Sequence, residues 1–257
     1  MAPPRLAVVT GASSGIGRAL ALQLNSEGFD LVLIARGESA LKEVTAELSL
    51  SELRAEIVPE DLTTESGVES IEHLIATRRP DLVVNCAGSG WRGAFADQPV
   101  EELDALLRLD VVALARLSRA AFAVMIERGT GSLLNVSSTA SFVPGPTVAA
   151  YHASKAFVTS LTEALHVEAA GTKVHVTALC PGITPTGFQA RAGTEHANLP
   201  NFLTTTAERV ASEGLASLRR NDALCVPGAA NKGIAVLSRL VPRALVRRAA
   251  KAFIAKV

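Results

Sequence analysis

Short apolar runs alternate with longer amphipathic stretches along most of the chain. The runs are Leu6–Thr10, Leu31–Ala35, Glu56–Pro59, Leu82–Asn85, Ser132–Val136, Val174–Leu179 and, more weakly, Ala223–Val226. They have strand length and are mostly apolar, the signature of strands covered on both faces. Between them, residues 16–27, 38–50, 65–77, 99–127, 150–170 and 206–220 carry apolar positions at helical spacing. This repetition predicts a parallel sheet with helices on both faces, and right-handed crossovers make it doubly wound. Gly28 and Gly171 stand where the first and fifth of these helices should end. No linker, low-complexity tract or internal repeat interrupts the pattern, so residues 1–257 read as one α/β domain.

Two segments depart from the alternation. Residues 183–205 are rich in Thr, Gly, Pro and Asn and carry Phe188, Leu199 and Phe202. A long loop after a strand's C-terminal end is expected to be a functional lid. The tail 239–257 holds Arg239, Arg243, Arg247, Arg248, Lys251 and Lys256 with no acid. A cationic amphipathic helix can lie on an acidic membrane, but packing on the domain or on a neighbouring subunit is the expected arrangement.

Composition narrows the classes. With 25 acidic and 25 basic residues, no global field recruits nucleic acid or an anionic membrane. Cys86, Cys180 and Cys225 are far apart, without metal-ligand spacing, and fit a reduced compartment. The chain opens almost directly on a strand-like run, and no apolar run has bilayer-spanning length, so a cytoplasmic protein is expected.

The first candidate chemistry is Thr10-Gly-Ala-Ser-Ser-Gly-Ile-Gly17, between the first strand and first helix. Gly11 permits a tight turn, Gly15 lets backbone approach a pyrophosphate, and Gly17 lets helix and strand pack closely. The helix N-terminus then offers free N–H groups to phosphates. The second strand ends Ile34-Ala35-Arg36, without the acid that would hold the ribose 2′-OH of NAD. A guanidinium there suits a 2′-phosphate, so NADP(H) is expected over NAD(H), with Ser13 as an added hydroxyl.

The second is Tyr151-x-x-x-Lys155 at the start of an amphipathic helix. Residues four apart share a helix face, so phenol and ammonium can converge. A tyrosine pKa of about 10 must be brought down toward neutrality for proton exchange, and the ammonium has the right sign. Tyr151 is the single tyrosine of the chain and follows a strand ending near Ser137 and Ser138, where a hydroxyl can donate to an oxygen gaining charge.

Thr10-Gly-x-x-x-Gly-x-Gly17, Asp61-Leu62, Asn85-x-Ala-Gly88, Ser138, Tyr151-x-x-x-Lys155 and Pro181-Gly-x-x-x-Thr186 occur in one order and spacing. Together they resemble the short-chain dehydrogenase/reductase family over residues 6–190. The resemblance implies a Rossmann-type sheet of seven strands, Tyr151 as general acid/base, Lys155 as ribose ligand and pKa modulator, and Ser138 as polariser of the substrate oxygen. Ser138 is chosen over Ser137 because the family's serine lies thirteen residues before the tyrosine. The implied cofactor set is Gly11, Ser13, Ser14, Gly15, Ile16 and Gly17 in the loop, then Arg36, with Asp61 and Leu62 at the adenine. It continues through Asn85, which also stabilises the central strand, and Ala87 and Gly88 to Tyr151 and Lys155. Pro181, Gly182, Ile183 and Thr186 close it at the nicotinamide.

One position departs from the family pattern. Many members have an asparagine in the helix before the serine, supporting a water in the proton relay; here Asp110 stands in its place. An aspartate only accepts hydrogen bonds and, near Lys155, tends to raise the tyrosine pKa. Asp110 is therefore expected to act as a water acceptor in that relay. Expected pocket walls are Ser89, Trp91, Phe95, Phe142, Val143, Phe188, Leu199 and Phe202, which suit a hydrophobic ketone, aldehyde or alcohol. Arg92 and Arg191 are near them in sequence. Broad apolar faces on 99–127 and 150–170, with the resemblance, imply a homodimer or homotetramer. The alternative function is a nicotinamide-binding sensor of the same fold without turnover.

Overall fold

The computed structural model describes residues 5–48, 54–193 and 204–254. The chain begins with β1 (Arg5–Thr10), α1 (Gly15–Ser26), β2 (Phe29–Ala35), α2 (Glu38–Ala46), β3 (Ala55–Pro59), α3 (Glu65–Arg78) and β4 (Leu82–Asn85). α4 (Val100–Leu107), a π-helical turn at Arg108–Ala113 and α5 (Leu114–Arg128) lead to β5 (Thr130–Val136). Then come α6 (Ala149–Glu168), β6 (Lys173–Leu179), α7 (Gly187–Arg191), α8 (Ala207–Arg219), β7 (Leu224–Cys225), α9 (Ala229–Leu240) and α10 (Arg243–Ile254).

The seven strands form one sheet in the order β3-β2-β1-β4-β5-β6-β7, and all six pairings are parallel. Strand residues alternate between two faces. Ala7, Val9, Leu31 and Leu33 face Leu20, Leu24, Leu41 and Leu215. Val8, Val32 and Val83 face Ile71, Ile75, Leu117 and Met125. Two apolar faces per strand account for the continuous apolar runs of the sequence. The fold is the expected α/β doubly wound, Rossmann-type architecture.

The chain order reverses between β1 and β4. The crossovers leave β1 and β4 in opposite directions, and the loops after their C-terminal ends splay apart there. Thr10 fastens this point: its buried Oγ1 accepts hydrogen bonds from the N–H groups of Cys86 at 3.0 Å and Ala87 at 3.1 Å. Beneath it, Asn85 Nδ2 donates to Asn135 Oδ1 at 2.9 Å and Ser118 Oγ at 3.1 Å, and Asn135 Nδ2 donates to Thr162 Oγ1 at 3.0 Å. These bonds tie β4 and β5 to α5 and α6.

Some element boundaries differ from expectation. The stretch 99–127 is interrupted by the π turn, which buries Asp110 completely. The second helix ends at Ala46 rather than 50. The stretch 183–205 contains α7, and its ends are tied by a bridge between Ile183 and Thr204. α9 lies where no element was expected; Asn231 and Gly233 are weak helix formers that dilute its signal.

Candidate active site

A cleft of about 1050 Å³ runs across the C-terminal edge of the sheet. The sheet order places the ends of β2 and β3, with Arg36 and Asp61, on one side of β1. The ends of β5 and β6, with Ser138 and Pro181, lie on the other.

The glycine loop is built by close approach. Gly11 has φ +67° and Gly15 φ +55°, both in the left-handed region. A Cβ on Gly11 would come within 2.8 Å of the Ala87 nitrogen, and one on Gly17 within 2.2 Å of the Gly11 carbonyl oxygen. Ser14, the N-cap of α1, makes no side-chain capping bond, and no acid occupies the first turn. The first N–H groups of α1 are therefore left for an anion, as a pyrophosphate requires. Ser13, Ile16, Leu62, Ala87 and Gly88 also line this half. Arg36 is exposed at its rim, with no ion pair among the described residues. Asp61 Oδ1 accepts from Thr63 N at 2.9 Å and Thr63 Oγ1 at 2.8 Å, fixing the turn after β3. These features fit a dinucleotide.

Ser138, Tyr151 and Lys155 meet in the middle. Ser138 Oγ caps a 3₁₀ turn, accepting from Ala140 N at 3.1 Å, and works to lower the pKa of the Tyr151 hydroxyl. Ser137 Oγ points away, donating to the Lys155 carbonyl at 2.8 Å with Thr159 Oγ1 at 2.7 Å. Lys155 is buried, its Nζ 5.7 Å from the Tyr151 ring centroid and 3.4 Å from the Val136 carbonyl. The Phe188 ring lies 5.4 Å from that of Tyr151.

Asp110 contacts the lysine directly. Its Oδ2 lies 3.2 Å from Lys155 Nζ and accepts from Ser154 Oγ at 3.3 Å, while Oδ1 accepts from Ser89 N at 2.8 Å. Asp110 and Lys155 thus form a buried ion pair. Burial works to lower the Lys155 pKa, but Asp110, Tyr151 and Cys86 outweigh it and hold the ammonium above its ordinary value. Tyr151 is raised, contrary to the expected lowering: burial dominates over the opposing pull of Lys155 and Ser138, and Asp110 adds to it. Burial also pushes Cys86 up to about 12, so it remains a thiol at neutral pH.

Not every expected residue reaches the cleft. Asn85 points into the polar cluster under the sheet edge rather than into the cleft. Ser89 contributes its N–H to Asp110, not its side chain to the wall. Phe142 is core, packed with Ala178, Cys180 and Val226, because the 3₁₀ turn rotates it away and presents Val143. Phe95 is exposed on a 3₁₀ turn outside the cleft. Trp91, Arg92, Phe188, Gly182, Ile183 and Thr186 do line it. Leu199 and Phe202, and the side chains of Arg191, Arg239 and Lys251, lie outside the described residues.

The wall that sequence reasoning missed is C-terminal. Ile234 and Leu237 of α9, Val241, and Leu245 and Val246 of α10 line the far half of the cleft. Their spacing of three to four is a helical apolar stripe, legible in principle.

Known proteins resemble this chain in sequence and in fold. An uncharacterized oxidoreductase of Staphylococcus epidermidis is 33% identical over 184 residues, covering 71% of this chain and 79% of that one. The solved short-chain dehydrogenase from Sphingobium yanoikuyae, in complex with NADPH, is 28% identical with a TM-score of 0.83, covering 98% and 96% of the two chains. The bulky-bulky ketone specific alcohol dehydrogenase from Comamonas testosteroni is 27% identical with a TM-score of 0.80, covering 93% and 92%. The profile of the short chain dehydrogenase family matches residues 5–197, and the chain belongs to that family.

Proposed function

We propose that the protein is an NADP(H)-dependent oxidoreductase interconverting a hydrophobic ketone or aldehyde and its alcohol. The observation that carries this reading is the meeting of Ser138, Tyr151 and buried Lys155 between a phosphate-binding half and an apolar half of one cleft. A bound nicotinamide supplies or accepts the hydride. The chain's own groups handle the proton. In reduction, Tyr151 Oη gives its proton to the substrate oxygen as charge develops there, and the Ser138 hydroxyl donates a second hydrogen bond. The Lys155 ammonium stabilises the phenolate left behind. In oxidation, Tyr151 takes the alcohol proton. Asp110 is a positioning residue that keeps Lys155 charged and in place.

Arg36 at the end of β2, with Ser13 across the loop, supports the phosphorylated dinucleotide. The NADPH held by the Sphingobium relative points the same way. The apolar walls and the ketone class of the Comamonas relative support a lipophilic substrate. Exposed Val100, Leu107, Val112, Phe157 and Val167 on the α4–α6 layer support a homo-oligomer. Among the described residues no helix is long and apolar enough to cross a membrane, in keeping with a cytoplasmic location.

The test is NADPH consumption over a panel of hydrophobic ketones and aldehydes, with Tyr151→Phe as control. The variant is expected to lose about a thousandfold in turnover. Equal turnover by both proteins would remove Tyr151 from its role. Tight NADPH binding without turnover on any carbonyl would favour the sensor.

A further inference from the structure

The last 35 residues are unlike the rest of the chain in charge. From residue 223 onward the sequence has seven bases, Lys232, Arg239, Arg243, Arg247, Arg248, Lys251 and Lys256, and no acid. The first 222 residues carry all 25 acids and the other 18 bases, so the chain's neutrality conceals a cationic end on an anionic body.

Apolar exposure concentrates in the same place. Twelve large hydrophobic residues are exposed among those described, and five of them, Ile234, Val236, Leu237, Leu240 and Leu245, fall on α9 and α10. Val236 is 59% and Leu240 77% exposed, and neither lines the cleft. Ile234, Leu237 and Leu245 are exposed and also line it, so the apolar patch is continuous with the cleft's apolar half. On α10 the exposed cations Arg243, Arg247 and Arg248 occupy one arc of the helix, and Leu245, Val246, Ala249 and Ala250 the other.

We propose that the exposed apolar face of α9 and α10, flanked by the arginines of α10, docks on an anionic lipid surface and turns the mouth of the cleft toward it. An apolar patch bordered by cations matches the acyl-chain and headgroup layers of such a surface. A second copy of this chain matches it poorly. A two-fold self-contact would set the cationic face against its own copy, and a contact with the anionic body of the next molecule would not close. A nucleic acid would pair with the arginines but leave the apolar patch in water. This inference goes beyond the proposed reaction and does not depend on it, since docking is read without turnover.

The experiment is co-sedimentation of the full chain with phosphatidylcholine vesicles, with and without phosphatidylglycerol, at low and high salt. Binding is expected to the anionic vesicles alone and to weaken about tenfold or more as salt is raised. Arg247→Glu with Arg248→Glu should abolish it. Val236→Ser with Leu240→Ser should weaken it at least about tenfold while leaving the melting temperature unchanged, because both side chains are exposed. Light scattering on the same serine variant excludes the other occupant. No sedimentation with anionic vesicles, or equal sedimentation with neutral ones, overturns the proposal. So does a serine variant that binds vesicles like the parent but changes oligomeric state.

Discussion

The two halves of the cleft are made by different means. The phosphate half is backbone: Gly11 packs on Ala87, Gly17 on Gly11, and Thr10 hydrogen-bonds across the switch point, all at distances with no slack. The apolar half is side chain, carried on α7, α9 and α10, with Ile234, Leu237 and Leu245 partly in water. Backbone contacts at van der Waals limits fix a ligand shape that recurs unchanged, the pyrophosphate. Side chains on surface helices can be exchanged at little cost to the fold, so that half is free to set the substrate. The contrast predicts that equally small substitutions will have very different effects in the two halves.

The largest difference is expected at Gly17→Ala. The added methyl lies 2.2 Å from the Gly11 oxygen, which is backbone and must move. Displacing the loop should cost roughly 1–3 kcal/mol of stability and about a hundredfold or more in NADPH affinity. Thermal melting and fluorescence titration check both, and an alanine variant that binds NADPH like the parent would break the contrast. Next is Arg36→Ala, which removes a charge from the rim and nothing from the core. NADPH affinity should fall roughly tenfold to a hundredfold while NADH affinity is unchanged. Loss of both equally would mean that Arg36 reads no 2′-phosphate.

The same contrast decides what could be read from the sequence. The phosphate half and the proton-handling set lie on short segments whose spacing is their geometry. Glycines four and two residues apart make the loop, and a tyrosine and lysine four apart share a helix face, so both were legible. The choice of Ser138 over Ser137 rests on the family's spacing to the tyrosine, and the different partners of the two hydroxyls agree with it. The failures lie where tertiary packing intervenes. Phe142 looks like a pocket wall until the 3₁₀ turn at Thr139–Phe142 rotates it into the core. Asn85 keeps the strand-stabilising role that its motif implies, its amide nitrogen joining β4 to β5, but it does not line the cleft. α9 was invisible because Asn231 and Gly233 interrupt its helical signal, and its role as cleft wall depends on folding back across the sheet edge. Asp110 was recognised as a departure, but its direct pairing with Lys155 depends on the π turn, which periodicity does not reveal.

Asp110, fully buried and paired with Lys155, makes the reaction's pH dependence a test of its role. Reduction requires Tyr151 as phenol and Lys155 as ammonium. Tyr151 is raised mainly by burial, with Asp110 adding to it, and Lys155 is raised against burial by Asp110, Tyr151 and Cys86. Both groups stay protonated through neutral pH, so the reductive rate should be flat there and fall only under strongly alkaline conditions. In Asp110→Asn the ammonium loses its main support and burial lowers its pKa. The alkaline limb should then move to lower pH. A kcat–pH profile measured with saturating NADPH reads this directly. A reduced rate with an unmoved limb would make Asp110 a packing residue only.

The smallest effect is expected at Leu237→Ala in the apolar wall. The Leu237 side chain is 59% exposed, so truncation removes contact with a bound substrate but little from the core. Stability should change by no more than about 0.5 kcal/mol. NADPH affinity should not change at all, because Leu237 lies on α9, remote in the sheet order from the glycine loop after β1. KM for a bulky ketone should rise about threefold, and KM for a small aldehyde that does not reach α9 should stay the same. The pair of substrates carries the argument: a general loss of affinity would follow from any loosening of the cleft, whereas a loss confined to the larger substrate places its far end against α9. Equal effects on both substrates would mean that the C-terminal wall shapes the cleft without touching what binds in it.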